Sequence, residues 1–182
     1  MSRIPTPATI QDAPDASQGL LDAVQKQLGS VPNLFRLVAN SPAALEGYLS
    51  LNGALGKGKL DPATRERIAL AVAQINGCGY CLAAHTYLGK NLARLSDVEM
   101  RSNRNGGSTD ARADAAVRFA AEIVEARGRV ASSAVDAIKA AGYSDAEIVE
   151  VVAHVALNTL TNYVNEVFGT EIDFPQVREL AA

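Results

Sequence analysis

DPATRERIALAVAQINGCGYCLAAHTYLGKNL, residues 61–92, decides how this chain folds and where its chemistry lies. Asp61-Pro62 is a helix start, with a carboxylate at the N-cap, proline at the first helical position and Glu66 soon after. Alanine and aliphatic residues then occupy most faces up to about Ile75, which predicts a helix buried on most sides. Asn76-Gly77 breaks it, and a second helix is expected from near Cys78 to about Leu92. On that helix Cys78, Cys81 and His85, spaced by three and then four, share one face. Two thiols and an imidazole therefore meet in one microenvironment.

Working outward, the rest of the chain also reads as helix. Leu20, Leu21, Val24 and Leu28 repeat at helical spacing before Gly29. Val31-Pro32-Asn33-Leu34-Phe35 opens a short helix to Val38, and Ser41-Pro42 caps the next, which fades at Gly56-Lys57-Gly58. Ser96-Asp97-Val98-Glu99 starts a short helix, and residues 102–110 form the longest polar loop. Helices are expected from Ala111 to Arg127, from Ser132 to Ala140, and from Ser144-Asp145 to Gly169. No stretch alternates apolar and polar residues in the manner of a strand. The fold class is all-α. Sliding residues 64–89 onto 144–169 aligns Ile68 with Ile148, Val72-Ala73 with Val152-Ala153 and Gly89 with Gly169, a hint of internal duplication.

The 182 residues fit one domain: an extended N-terminal arm over 1–16 with Pro5, Pro7 and Pro14, a helical unit over 17–169, and a tail over 170–182. Arm and tail are both candidates for wrapping a neighbouring subunit. A formal net charge of −3 offers no basic footprint for nucleic acid. No apolar run has membrane-spanning length and no secretory leader is visible, so a cytoplasmic protein is expected. In that compartment a lone cysteine pair is more often catalytic or metal-binding than a structural staple.

A thiolate, not a thiol, attacks a peroxide or a disulfide, and two sources of help can be read from the sequence. Cys78 begins a helix, where unpaired N–H groups favour an anion. Cys81 has His85 one turn on. These favour different cysteines as the nucleophile, and the residues alone leave both open. Either way a CxxC pair solves the next step, because a sulfenic acid on one sulfur condenses with its neighbour to a disulfide. Glu66 lies about as far before the Asn76-Gly77 turn as His85 lies after it, so the two side chains can meet and the carboxylate can orient the imidazole. Pairing of Glu66 with Arg65 or Arg67 is the plainer alternative. Zinc would need His154 as its fourth ligand. A c-type haem would need His where Leu82 stands, and a thioredoxin-like site would need a strand before Cys78. On the last helix His154, Asn158, Asn162 and Asn165 form a polar stripe, either hydrogen-bonded in the core or lining a cavity near Cys81.

Glu66, eleven intervening residues, Cys78-x-x-Cys81, three residues and His85 together resemble the signature of the alkylhydroperoxidase AhpD-like group in the carboxymuconolactone decarboxylase superfamily. Val31-Pro32-Asn33-Leu34-Phe35 and Gly169-Thr170-Glu171-Ile172-Asp173-Phe174-Pro175 resemble flanking motifs of its peroxidase-related members. The resemblance implies an AhpD-like helical bundle, often duplicated, that assembles as a homo-oligomer, trimer or hexamer. It implies hydroperoxide reduction with no cofactor and no metal, with recycling by an external dithiol: a small thiol, a lipoyl-type group or a thioredoxin-like protein. By the same resemblance Cys81 is peroxidatic, Cys78 resolves, and His85 with Glu66 relays the proton. One position departs from the pattern, since Tyr80 stands where well-studied members carry His. The rival readings are a protein disulfide oxidoreductase and a non-enzymatic redox-sensing module.

Overall fold

The computed structural model describes residues 2–177. Among them the chain forms nine α-helices and no strand: α1 (Asp15–Leu28), α2 (Asn33–Val38), α3 (Pro42–Leu55), α4 (Pro62–Ile75), α5 (Gly79–Asn91), α6 (Asp97–Arg104), α7 (Ala111–Glu125), α8 (Ser132–Ala140) and α9 (Asp145–Phe168). The local signals act where the sequence puts them. Ser41, Asp61, Ser96 and Ser144 each accept a backbone N–H at a helix start, and Pro42 and Pro62 occupy first turns.

α4 is the axle of the molecule. Residues Ile68 to Ala73 are all buried, and α5, α6, α7 and α9 pack around them. Ile68 and Val72 enter the largest apolar cluster with Phe119 and Ile123 of α7, Ile138 of α8 and Val151 and Val155 of α9. A second cluster joins α1 to α3 through Leu21, Val24 and Leu45. A third surrounds the cysteines with Leu34, Ala73 and Tyr80.

Three details differ from expectation. The segment read as an extended arm carries a 3-10 turn, Ile10–Asp12, and lies on its own chain: the Arg3 amide donates to the Phe168 carbonyl and the Asn40 amide to that of Pro5. The polar loop starts only at Asn105, because the Asn103 side chain is buried and donates to Glu99 and the Gly107 carbonyl, which carries α6 through Arg104. The hinted duplication does not extend to the helices, since 64–89 breaks at Gly77 while 144–169 contains one unbroken helix. Of the tail, residues 178–182 lie outside the described residues.

Candidate redox site

The turn between α4 and α5 fixes the first cysteine. Gly77 has φ of 69°, the left-handed conformation that ends a helix. The Gly77 amide donates to the Gln74 carbonyl and the Cys78 amide to that of Ala73, which is the paired bonding of a Schellman motif. Cys78 is then also the N-cap of α5, its Sγ accepting the Cys81 amide at 3.2 Å. One residue closes one helix and opens the next, so its sulfur is held from both sides. Cys81, one turn in, has its Sγ 2.50 Å from that of Cys78 in a disulfide pairing, with Cα atoms 5.3 Å apart. The Asn165 amide group of α9 donates to the Cys81 sulfur at 3.2 Å.

His85 Nδ1 stands 2.9 Å from Glu66 Oε2. The helical turn therefore does what the spacing predicts, and the plainer pairing of Glu66 with arginine is not what forms. Arg67 goes to Glu99 at 2.7 Å. Glu66 and His85 open on a cavity of about 430 Å³ whose walls include Tyr48, Arg65, Leu157, His154 and Asn158. Neither cysteine lines it. On α4 the wall residue Ala69 is one turn from Ala73, which packs on the sulfurs, and on α5 His85 is one turn from Cys81.

The polar stripe of α9 divides between its two readings. His154 and Asn158 line the cavity, Asn162 accepts a hydrogen bond from Asn76, and Asn165 meets the sulfur. His154 is buried with Nε2 unpaired, and burial, aided by the Arg65 guanidinium, lowers its pKa to about 4. It is a neutral hydrogen-bonding group at neutral pH. Tyr48 is pushed up to about 12 by burial and by Glu66, so it stays a phenol. Among the described residues no three or more His, Cys, Asp or Glu side chains converge as a metal shell. No helix of the described residues is long and apolar enough to cross a membrane.

Tyr80 faces away from the relay. Its hydroxyl donates to Asp173 Oδ1 at 2.8 Å and accepts the Leu34 amide at 3.2 Å, while Asp173 Oδ2 takes the Asn33 amide at 2.8 Å. Phe174 packs edge-on against the Tyr80 ring, centroids 5.7 Å apart. The phenol thus latches the Val31–Phe35 segment and the segment after α9 over the cysteines, which are 0% and 3% exposed. Burial and Asp173 raise its pKa, keeping the donor in place. Asp173→Ala leaves the Asn33 amide and the Tyr80 hydroxyl without a charged acceptor worth roughly 1.5–3 kcal/mol to each. Iodoacetamide labelling of the reduced pair is expected to accelerate by about tenfold or more as local opening becomes more frequent. Labelling at the wild-type rate would show that Asp173 does not hold the cover.

Arg65, Tyr48 and Asp173 are site residues that spacing did not single out. Asn165 was singled out, as the last member of the α9 stripe.

Comparisons place this geometry. Residues 42–126 match the family model "Carboxymuconolactone decarboxylase family". The fold matches that of an alkylhydroperoxidase AhpD core, a peroxidase-related protein from Ralstonia eutropha JMP134, at TM-score 0.84 and 24% identity over 94% of this chain and 92% of that one. A peroxidase-related protein from Silicibacter sp. TM1040 matches at TM-score 0.80 and 24% identity over 93% and 91%. A variant of the debrominase Bmp8 in complex with 2,3,4-tribromopyrrole matches at TM-score 0.79 and 18% identity over 95% and 94%. No curated protein sequence matches. The chain is thus similar to the carboxymuconolactone decarboxylase family over residues 42–126, and it has the AhpD-like helical fold.

Proposed function

We propose that this protein is a thiol-dependent hydroperoxide reductase in which Cys81 attacks, Cys78 resolves, and the Glu66–His85 pair moves the proton. The supporting observation is the Glu66–His85 contact at 2.9 Å, one helical turn from a cysteine pair buried too deeply for a bulky oxidant. The Cys81 thiolate attacks the distal oxygen of the hydroperoxide and forms an S–O bond to it, the O–O bond breaks, and His85 delivers a proton to the departing alkoxide. Alcohol and Cys81 sulfenic acid result. The Cys78 thiol then attacks that sulfur, releasing water and forming the disulfide. An external dithiol returns both cysteines to thiols and is itself oxidised to a disulfide.

Two donors support these roles. Asn165 supports negative charge on Cys81, and Cys81 is the more exposed sulfur. Cys78 has the helix N-terminus, which stabilises it as the leaving thiolate when reductant attacks Cys81. The burial of both sulfurs disfavours a folded protein disulfide as the oxidant. A second reading, reductive dehalogenation of a small aromatic ring, is favoured by the likeness to the debrominase and by a half-open cavity with Leu157 and the Tyr48 ring on its walls.

Steady-state turnover of hydroperoxide with dihydrolipoate as recycling dithiol tests the proposal. Glu66→Gln should lower kcat/KM by about 10²-fold, in the range expected for loss of proton transfer support, while the variant stays folded. If the wild type consumes a bromopyrrole with dithiol but no hydroperoxide, the second reading takes its place.

A further inference from the structure

The cavity beside the Glu66–His85 pair holds a cation that forms no ion pair. Arg65, half-buried, is the only lysine or arginine among the described residues that line it. Its two neighbours on α4 are engaged elsewhere, Glu66 with His85 and Arg67 with Glu99. Arg65 itself pairs with no carboxylate among the described residues, where its hydrogen bond runs from Nη1 to the Leu55 carbonyl at a long 3.4 Å. A guanidinium carries several N–H donors in a planar fork, so most of its bonding capacity is left for a ligand. A second group in the same cavity is also short of a partner. His154 is 5% exposed, and its Nε2 is buried without a hydrogen bond. Buried polar atoms are seldom left that way.

We propose that this cavity is a carboxylate-binding site, in which Arg65 grips the acid group and His154 Nε2 donates to it, and that the hydroperoxide reduced at Cys81 carries this carboxylate at its far end. The peroxide end rests on the peroxidase reading; the acid site does not. A neutral imidazole has one N–H, and the Nε2 tautomer makes that atom a donor. The placing of the two ends follows from α4. Arg65, Ala69 and Ala73, four residues apart, share one face; the first two line the cavity and the third packs on the sulfurs. Eight residues of helix rise about 12 Å, so a molecule held at Arg65 must be extended to present its other end to Cys81, passing His85. Its middle lies against Ala69, Leu157 and the Tyr48 ring. A single guanidinium matches a monoanion in the planar, two-bond geometry of a carboxylate, whereas a phosphate dianion would leave one charge unmatched near Glu66. The net charge of −3 gives anions no general attraction, so any preference for them is local to Arg65.

Cumene hydroperoxide and its para-carboxylate, each turned over by the full chain with dihydrolipoate, differ only in the charged group. The carboxylate should have the higher kcat/KM by at least about tenfold, carried mainly by KM, as expected for one charge-assisted contact. Arg65→Met should reduce that ratio to about one, and Arg65→Lys should restore part of it, because lysine keeps the charge without the fork. Binding is read separately by calorimetry with two ligands that hold no peroxide. Para-isopropylbenzoate should bind the wild type at least about tenfold more tightly than para-isopropylbenzamide. If the acid binds with this preference and Arg65→Met removes it while neither hydroperoxide is reduced, the acid site stands and the peroxidase reading falls. If both hydroperoxides are reduced with equal kcat/KM and the acid binds no better than the amide, the acid site falls and the peroxidase reading stands. A folded Arg65→Met that keeps the preference also overturns the site, and should that variant fail to fold, the wild-type binding pair with Arg65→Lys decides.

Discussion

Cys81→Ser is expected to abolish dithiol-dependent hydroperoxide turnover, with kcat/KM falling on the order of 10³-fold or more. A hydroxyl at that position cannot supply the soft anion that attacks the O–O bond, and no other free thiol can form the sulfenic acid without exchanging roles with it. Cys78→Ser has a different signature. The first step survives, so one equivalent of hydroperoxide is consumed and a sulfenic acid accumulates on Cys81, where dimedone traps it. Multiple turnover then fails for want of the resolving thiol. The two variants separate the roles because the structure gives the sulfurs different partners: Asn165 for Cys81, the start of α5 for Cys78. If dimedone labels Cys78 in Cys81→Ser while Cys78→Ser consumes no peroxide, the roles are reversed. The helix N-terminus would then outweigh Asn165 in stabilising the attacking anion.

Most of the helix boundaries and half of the site were legible in the sequence, for one physical reason. Caps and breaks act over three or four residues, so Ser41-Pro42, Asp61-Pro62, Gly77 and Ser144 could be read without knowing what they pack against. The Glu66–His85 contact was legible because a single tight turn links their helices, making nineteen residues of separation a local problem. Tyr80 and Asp173 are ninety-three residues apart, and nothing in either segment encodes their meeting. Tyr80 was conspicuous as a departure from the family pattern, yet its role lies in the covering segments rather than in the relay. The α9 asparagines were visible as a period, but their separate partners, Asn76 for one and Cys81 for another, follow from how α9 crosses α4 and α5.

Glu99→Ala is expected to destabilise the fold by about 3–5 kcal/mol, the usual penalty for removing one partner of a buried charge network. The Glu99 carboxylate, 4% exposed, accepts from Arg67 Nε at 2.7 Å, Asn103 Nδ2 at 2.9 Å, Ser108 Oγ at 2.5 Å and the Thr109 amide at 2.7 Å, with the Thr109 hydroxyl as a fifth donor. It ties α6 and the loop after it to α4, at the residue beside Glu66. Without it the Arg67 guanidinium loses its ion pair and four further donors lose their acceptor. For a chain of this length Tm should fall by roughly 10–15 °C. The pH dependence identifies the cause. Burial raises the Glu99 carboxyl, but the donors from Ser108, Thr109 and Asn103 overcome it and hold the pKa at about 2, below the ordinary 4.5. Between those values the unfolded chain binds the extra proton, so this stabilisation is full above about 4.5 and is lost as pH falls toward 2. His154 acts in a higher window. Its pKa is lowered from 6.5 to about 4, so wild type and variant alike lose stability as pH falls from 6.5 and the unfolded imidazole gains its proton first. The gap in Tm between wild type and Glu99→Ala should therefore be constant from pH 7 to about 5 and narrow below that. A gap of under 3 °C at pH 7, or one that persists unchanged to pH 2.5, would mean that α4 and α6 are held together by packing rather than by this carboxylate.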